Sequence, residues 1–155
     1  MAFAAIYTVG RLKHPEEHPA SREFNEAGYE VIRQAAKTGD LIKEFSPNRV
    51  RFPEESIEGE GSPVLTLTVW KNLQSLFRFT YSGHHMQALK DRNKWFESIQ
   101  ERQPNYVVWW TEKLSDVSWK EAFKRYDFYI QNGPDPFAFD FKHAFDEFGE
   151  RVSIK

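Results

Sequence analysis

Apolar residues along this chain recur with two periods, and each change of period marks an element. Positions 3–9 are almost all apolar or β-compatible and stop at Gly10, which predicts a strand buried in part on both faces. Phe24, Ala27, Val31 and Ala35 then follow helical spacing, with Ser21 as the expected N-cap and Gly39 as the stop, so a helix is predicted over 21–38. Positions 40–45 read as a short second strand. Residues 46–62 are rich in Pro, Gly, Glu and Ser and read as a loop insertion. In 64–70, Leu65, Leu67 and Val69 alternate with Thr66, Thr68 and Trp70, a half-buried strand. Asn72 is placed to cap a helix carrying Leu73, Leu76, Phe77 and Tyr81, which Ser82-Gly83 breaks before a second helical segment starts near His84.

That second segment has a stripe with two foreign members. At about 100° per residue, Ala88, Leu89, Trp95, Phe96 and Ile99 share one arc, and Arg92 falls near its middle with His85 beside it. His84 sits at the margin. A buried guanidinium demands a carboxylate, a carbonyl dipole or a ligand, so Glu112, Asp127 and Asp140 are its expected protein partners.

Positions 105–111, NYVVWWT, predict another strand. Ser118 and Glu121 have the spacing of a capping box, opening a helix with Trp119, Ala122, Phe123, Tyr126 and Ile130 on one side and Asn132-Gly133-Pro134 at its end. Phe137, Phe139 and Phe141 alternate with polar or small residues and predict a last strand, followed by a weakly patterned tail over 143–155. The order of elements is that of an α+β sandwich: an antiparallel sheet with helices on one face, extended by an added C-terminal helix and strand. Large apolar groups point both ways from the strands, so the bare face is expected to meet a second subunit, making a homodimer.

Composition narrows the partners. With 155 residues the chain is sized for a single domain. A net charge of −2 and no concentrated basic run argue against nucleic acid and against an anionic membrane surface. No cysteine is present, which excludes disulfides and thiolate chemistry and agrees with a cytoplasmic location. The first residues are too short a run and too β-like for a signal peptide or a span. Aromatics make up 16% of residues, enough for an aromatic core or an aromatic-lined cavity. His14, Glu17 and His18 spell H-x-x-E-H, but Pro15 and Pro19 oppose the helix that a zinc site of this kind needs, so a solvated loop is expected and no metal is assigned. The cluster Glu54, Glu55, Glu58 and Glu60 reads as a solvated charge run.

At LTLTVWKNLQSLFRFTYSGHHMQALKDRNKWFES, NYVVWW and GPDPFAF the chain resembles the family called domain of unknown function 3291, within the dimeric α+β barrel superfamily. The resemblance implies a ferredoxin-like βαββαβ subunit, pairing sheet to sheet, with a cavity between sheet and helices. Relatives in that superfamily include cofactor-independent antibiotic-biosynthesis monooxygenases and haem-degrading enzymes, which share a fold rather than one reaction. The histidine of the haem-degrading members would fall near Leu89; His85 is a turn earlier.

Three functions are open at this point. The first is a monooxygenase-like enzyme acting on an aromatic or polycyclic compound, needing no cofactor. In it His85 removes a proton, Arg92 holds the anion formed, and Trp70, Phe79, His84, Trp95, Trp109 and Trp110 line the substrate site. The second is a non-catalytic ligand-binding or dimerisation module. The third is haem binding through His84 or His85. A pocket on which His85 and Arg92 converge separates the first from the second.

Overall fold

The computed structural model describes residues 2–15, 17–46, 63–96 and 104–154, without the side chains of His84 and Asn93. The insertion over 47–62, with its four glutamates, lies outside the described residues. Strand β1 (Phe3–Arg11) runs through the middle of an antiparallel sheet of order β2-β3-β1-β4, whose other members are β2 (Leu41–Phe45), β3 (Pro63–Trp70) and β4 (Tyr106–Thr111). Register places Ala4 opposite both Trp70 and Trp110, and Ala5 opposite both Val69 and Trp109. The two small residues of β1 thus leave room for Trp70 and Trp110 on one side of the sheet and for Trp109 on the other.

β1 is buried on both faces, which is why its sequence lacks polar alternation. On one face, Ala4, Ile6, Trp70 and Val108 meet Ala35 of α1 (Pro19–Thr38) and Leu73 and Leu76 of α2 (Leu73–Thr80). On the other, Ala5, Tyr7, Leu67, Val107 and Trp109 meet Ala122 and Tyr126 of α4 (Trp119–Asn132). The expectation of helices on one face is therefore corrected: the C-terminal helix folds back over the second face. The bare apolar surface that called for a second subunit is covered from within the chain.

α3 (Gly83–Trp95) packs on α1. The Phe24 ring of α1 lies 5.6 Å from Trp95 and 4.9 Å from Phe96, edge to face. Phe96 has already left the helix and bridges to Leu12, while the Lys13 N–H donates to the Trp95 carbonyl at 2.7 Å. A Cβ on Gly10 would come 2.8 Å from the Phe96 ring, so this close approach requires glycine.

Local chemistry moved several boundaries. α1 starts at Pro19, with His18 as its N-cap: the imidazole Nδ1 accepts from the Ala20 N–H at 3.1 Å, and proline suits the first turn, whose N–H would be unpaired anyway. Ser21, expected as the cap, is buried inside the first turn and donates to the His14 carbonyl. His14 and His18 stack at 3.9 Å rather than sharing a helix face, and no group of three metal-ligating side chains occurs among the described residues. Asn72 caps α2 through the Ser75 N–H at 2.8 Å. Ser118 accepts from Glu121 N–H, but the Glu121 carboxylate turns to Arg125, so only half of the capping box forms.

The strand expected over 137–141 is reduced to two isolated bridges, Phe139 with Val108 and Ala138 with Asp135. Asp135 accepts from Phe137 N–H and Asp140 accepts from His143 N–H, and these side-chain turns outcompete the apolar alternation. The tail instead forms a small hairpin of β5 (Ala144–Phe145) and β6 (Arg151–Val152). No described helix is long and apolar enough to cross a membrane.

Candidate functional site

A pocket of about 210 Å3 lies where α1, the end of β3, α2 and the start of α3 meet. α1 contributes Gln34 and Thr38. Gly39, at φ 79°, then ends the helix in the left-handed conformation and turns the chain so that Asp40 joins the same wall. Thr38 is fixed there, donating to the Ala35 carbonyl and accepting from the Asp40 N–H. Ser75, Arg78 and Phe79 come from α2, Trp70 from the end of β3, and Ser82 and His85 from the break between α2 and α3.

The apolar part of the lining is a run of rings. Trp70 and Phe79 are 4.6 Å apart at 32°, and Phe79 and His85 are 5.1 Å apart at 51°. Trp70 is held by its indole N–H donating to Thr68 Oγ1 at 2.9 Å.

His85 Nδ1 lies 2.8 Å from the carbonyl of Thr80, the last residue of α2. A carbonyl only accepts, so Nδ1 carries the hydrogen and Nε2 keeps its lone pair. The contact also satisfies one of the carbonyls that a helix end leaves without a partner. Burial pushes the His85 pKa below the ordinary imidazole value, against the smaller opposing pull of the Thr80 carbonyl. The ring is therefore neutral at neutral pH, with its tautomer set and one nitrogen ready to accept a proton.

Of the residues singled out in the sequence, the structure brings Trp70, Phe79 and His85 together and sets Arg92, Trp95, Trp109 and Trp110 elsewhere. Arg92 is two turns along α3 from His85, about 10 Å by helical rise, and does not line the pocket. It stands in the last turn of its helix, where a cation suits the macrodipole. None of the described ion pairs joins it to Glu112, Asp127 or Asp140; Asp140 instead accepts from the Tyr129 hydroxyl and contacts His143 Nδ1 at 3.0 Å. Trp95 is buried against Phe24, away from the pocket. Trp110 donates its indole N–H to the Phe145 carbonyl and so anchors the C-terminal hairpin. Trp109 is on the opposite face, under α4. The side chain of His84 lies outside the described residues.

Arg125, and not Arg92, is a paired, half-buried arginine of this fold. Its guanidinium lies 4.1 Å from the Phe137 ring and 5.5 Å from Trp109, donates to the Phe137 carbonyl at 2.8 Å, and pairs with Glu121 at 2.9 Å. Every one of those contacts is internal.

Gln34, Thr38, Asp40, Ser75, Arg78 and Ser82 were not foreseen. Within α2 a signal existed: Ser75, Arg78 and Phe79 follow one another by three and one positions and share a face, and Ser82 and His85 continue from it across the helix break.

Size selects among ligands. A 150 Å3 cavity is known to hold benzene, and drug-sized ligands occupy roughly 300–1,000 Å3. At about 210 Å3 the pocket suits one ring with small substituents. A polycyclic compound or a haem macrocycle would extend beyond that volume, and no step is assigned to haem.

Among functionally curated proteins none matches the chain. A conserved protein from Methanosarcina mazei Go1, known from its crystal structure, is 17% identical with a TM-score of 0.49, over 73% of this chain and 94% of that one. The model of one family, described as Domain of unknown function (DUF3291), matches residues 4–153, and the chain belongs to that family.

Proposed function

We infer that the protein is an enzyme acting on a single-ring aromatic compound with an acidic hydroxyl, bound against Trp70 and Phe79, and that His85 Nε2 takes the hydroxyl proton. The observation that carries this is His85 itself: a neutral imidazole in the lining of a ring-sized pocket, its tautomer fixed by Thr80 and its pKa held low. A base of that kind stays unprotonated somewhat below pH 6.5 and loses its function only under more acid conditions.

The strand order β2-β3-β1-β4, with helices after β1 and β3, supports the reading of a ferredoxin-like unit extended by α4. Cofactor-independent monooxygenation fits such a site. Deprotonation of a hydroquinone gives an anion that reduces dioxygen; one oxygen atom enters the ring to give a hydroxyquinone and the other leaves as water.

The test is a panel of phenols, catechols and hydroquinones, followed by tryptophan fluorescence for binding and by an oxygen electrode for turnover. His85→Gln keeps a donor for the Thr80 carbonyl, and is expected to lower turnover by about 100- to 10,000-fold with binding little changed. Binding without any turnover would make the protein a ligand-binding module. No binding of any single-ring compound would end this assignment.

A further inference from the structure

The ring stack accounts for one wall of the pocket. The rest of the lining contains one carboxylate, Asp40, and one guanidinium, Arg78. His85 is neutral, so these are the only charges among the lining residues and they sum to zero. Among the described residues neither forms an ion pair, with the other or with anything else. The contrast with Arg125 is direct, because that guanidinium is closed off by Glu121 and the Phe137 carbonyl. Arg78 is exposed at the rim, and its backbone carbonyl accepts from the Ser82 hydroxyl at 2.5 Å.

Opposite charges that share a small pocket without neutralising each other discriminate among ligands by charge. A neutral phenol displaces water from both groups and returns no interaction to either. An aromatic monoanion gains Arg78 and is opposed by Asp40; a monocation meets the reverse. A ligand carrying both charges satisfies both, and the planar guanidinium fork is suited to a carboxylate. Gln34, Thr38 and Ser82 add neutral hydrogen-bonding groups beside the two charges.

The geometry points to a zwitterionic single-ring ligand of the aromatic amino-acid type, its ammonium paired with Asp40 and its carboxylate with Arg78. This rests on the single-ring assignment above and goes beyond it by fixing the polar end of the ligand.

Four probes that share a phenol ring separate the terms: tyrosine, with both charges; tyramine, without the carboxylate; 3-(4-hydroxyphenyl)propionate, without the ammonium; and 4-ethylphenol, with neither. Titration calorimetry at low salt is expected to rank tyrosine first, by about threefold to tenfold over each singly charged probe. Arg78→Gln should bring tyrosine down to the affinity of tyramine and leave tyramine unchanged or slightly tighter. Asp40→Asn should bring tyrosine down to the affinity of the propionate. Equal binding of 4-ethylphenol and tyrosine would overturn this inference while leaving the ring site standing, and so would an Arg78→Gln variant that weakens tyramine as much as tyrosine. If 4-ethylphenol and the other three all fail to bind, the ring site falls and the zwitterion falls with it.

Discussion

The two faces of the sheet are built from similar residues and end in opposite conditions. Beneath α4, Tyr7 sits edge-on to Trp119, Phe123 and Tyr126 at 6.3, 5.5 and 5.4 Å, and Arg125 is sealed between Phe137 and Glu121. Beneath α1 and α2, Trp70, Phe79 and His85 also stack ring on ring, yet the rings stop at a pocket and the neighbouring charges are left without internal partners. Aromatic content does not separate a core from a site here. What separates them is whether the charged groups find partners inside the protein: Arg125 pairs with Glu121, whereas Asp40 and Arg78 form no ion pair among the described residues.

The strongest way to break this contrast is to empty the filled face. Trp109 is 1% exposed, and Trp109→Ala is expected to cost about 3–5 kcal/mol in urea denaturation, because a packed layer relaxes only partly around a large void. Affinity for single-ring ligands in the folded fraction should be unchanged, as the pocket is across the sheet. A loss of ligand affinity matching the loss of stability would show that the two faces are one unit.

A smaller effect belongs to the pocket face. The folded state holds the His85 proton less tightly than the ordinary value of 6.5, so below that pH the unfolded chain binds more protons and stability falls. His85 thus contributes its full share above pH 6.5 and loses it as the pH drops toward the folded value. Between pH 7 and pH 5, His85→Gln should lose stability less steeply than the wild type. Identical slopes for the two proteins would mean that the imidazole is not shielded from water.

The smallest effect tests how complete the packing is under α4. The Tyr7 hydroxyl is buried with no hydrogen-bond partner, and burial raises its pKa well above the usual phenol value. Tyr7→Phe removes an unsatisfied group, so its stability should be unchanged or higher by up to about 1 kcal/mol. A loss of more than about 1 kcal/mol would reveal a bound water holding the hydroxyl.

The strands and helices were legible because period reports burial directly: β3 and the Asn72 cap form where they were read, although β3 alternates in burial only as far as Leu67 and is buried on both faces from there to Trp70. The last strand was misread because Asp135 and Asp140 spend their carboxylates on backbone turns, which periodicity does not register. His85 was found from its place on an apolar arc, and Arg92 was placed with it wrongly for the same reason. A helical wheel gives direction about an axis but no position along it, and the two residues are two turns apart. It also assumed a helix continuing past Trp95, whereas Phe96 is already extended. Asp40 and Arg78 were invisible because their meeting depends on four elements packing together. No local spacing encodes that.

α4 has one more consequence. A sheet face covered by another copy is covered to the extent that copies are plentiful, and its midpoint of unfolding moves with protein concentration. Here the cover is tethered by the short connection between Thr111 and Trp119, so its local concentration is set by linker length and not by how much protein is made. This layer of the core is as complete in a dilute solution as in a crowded one.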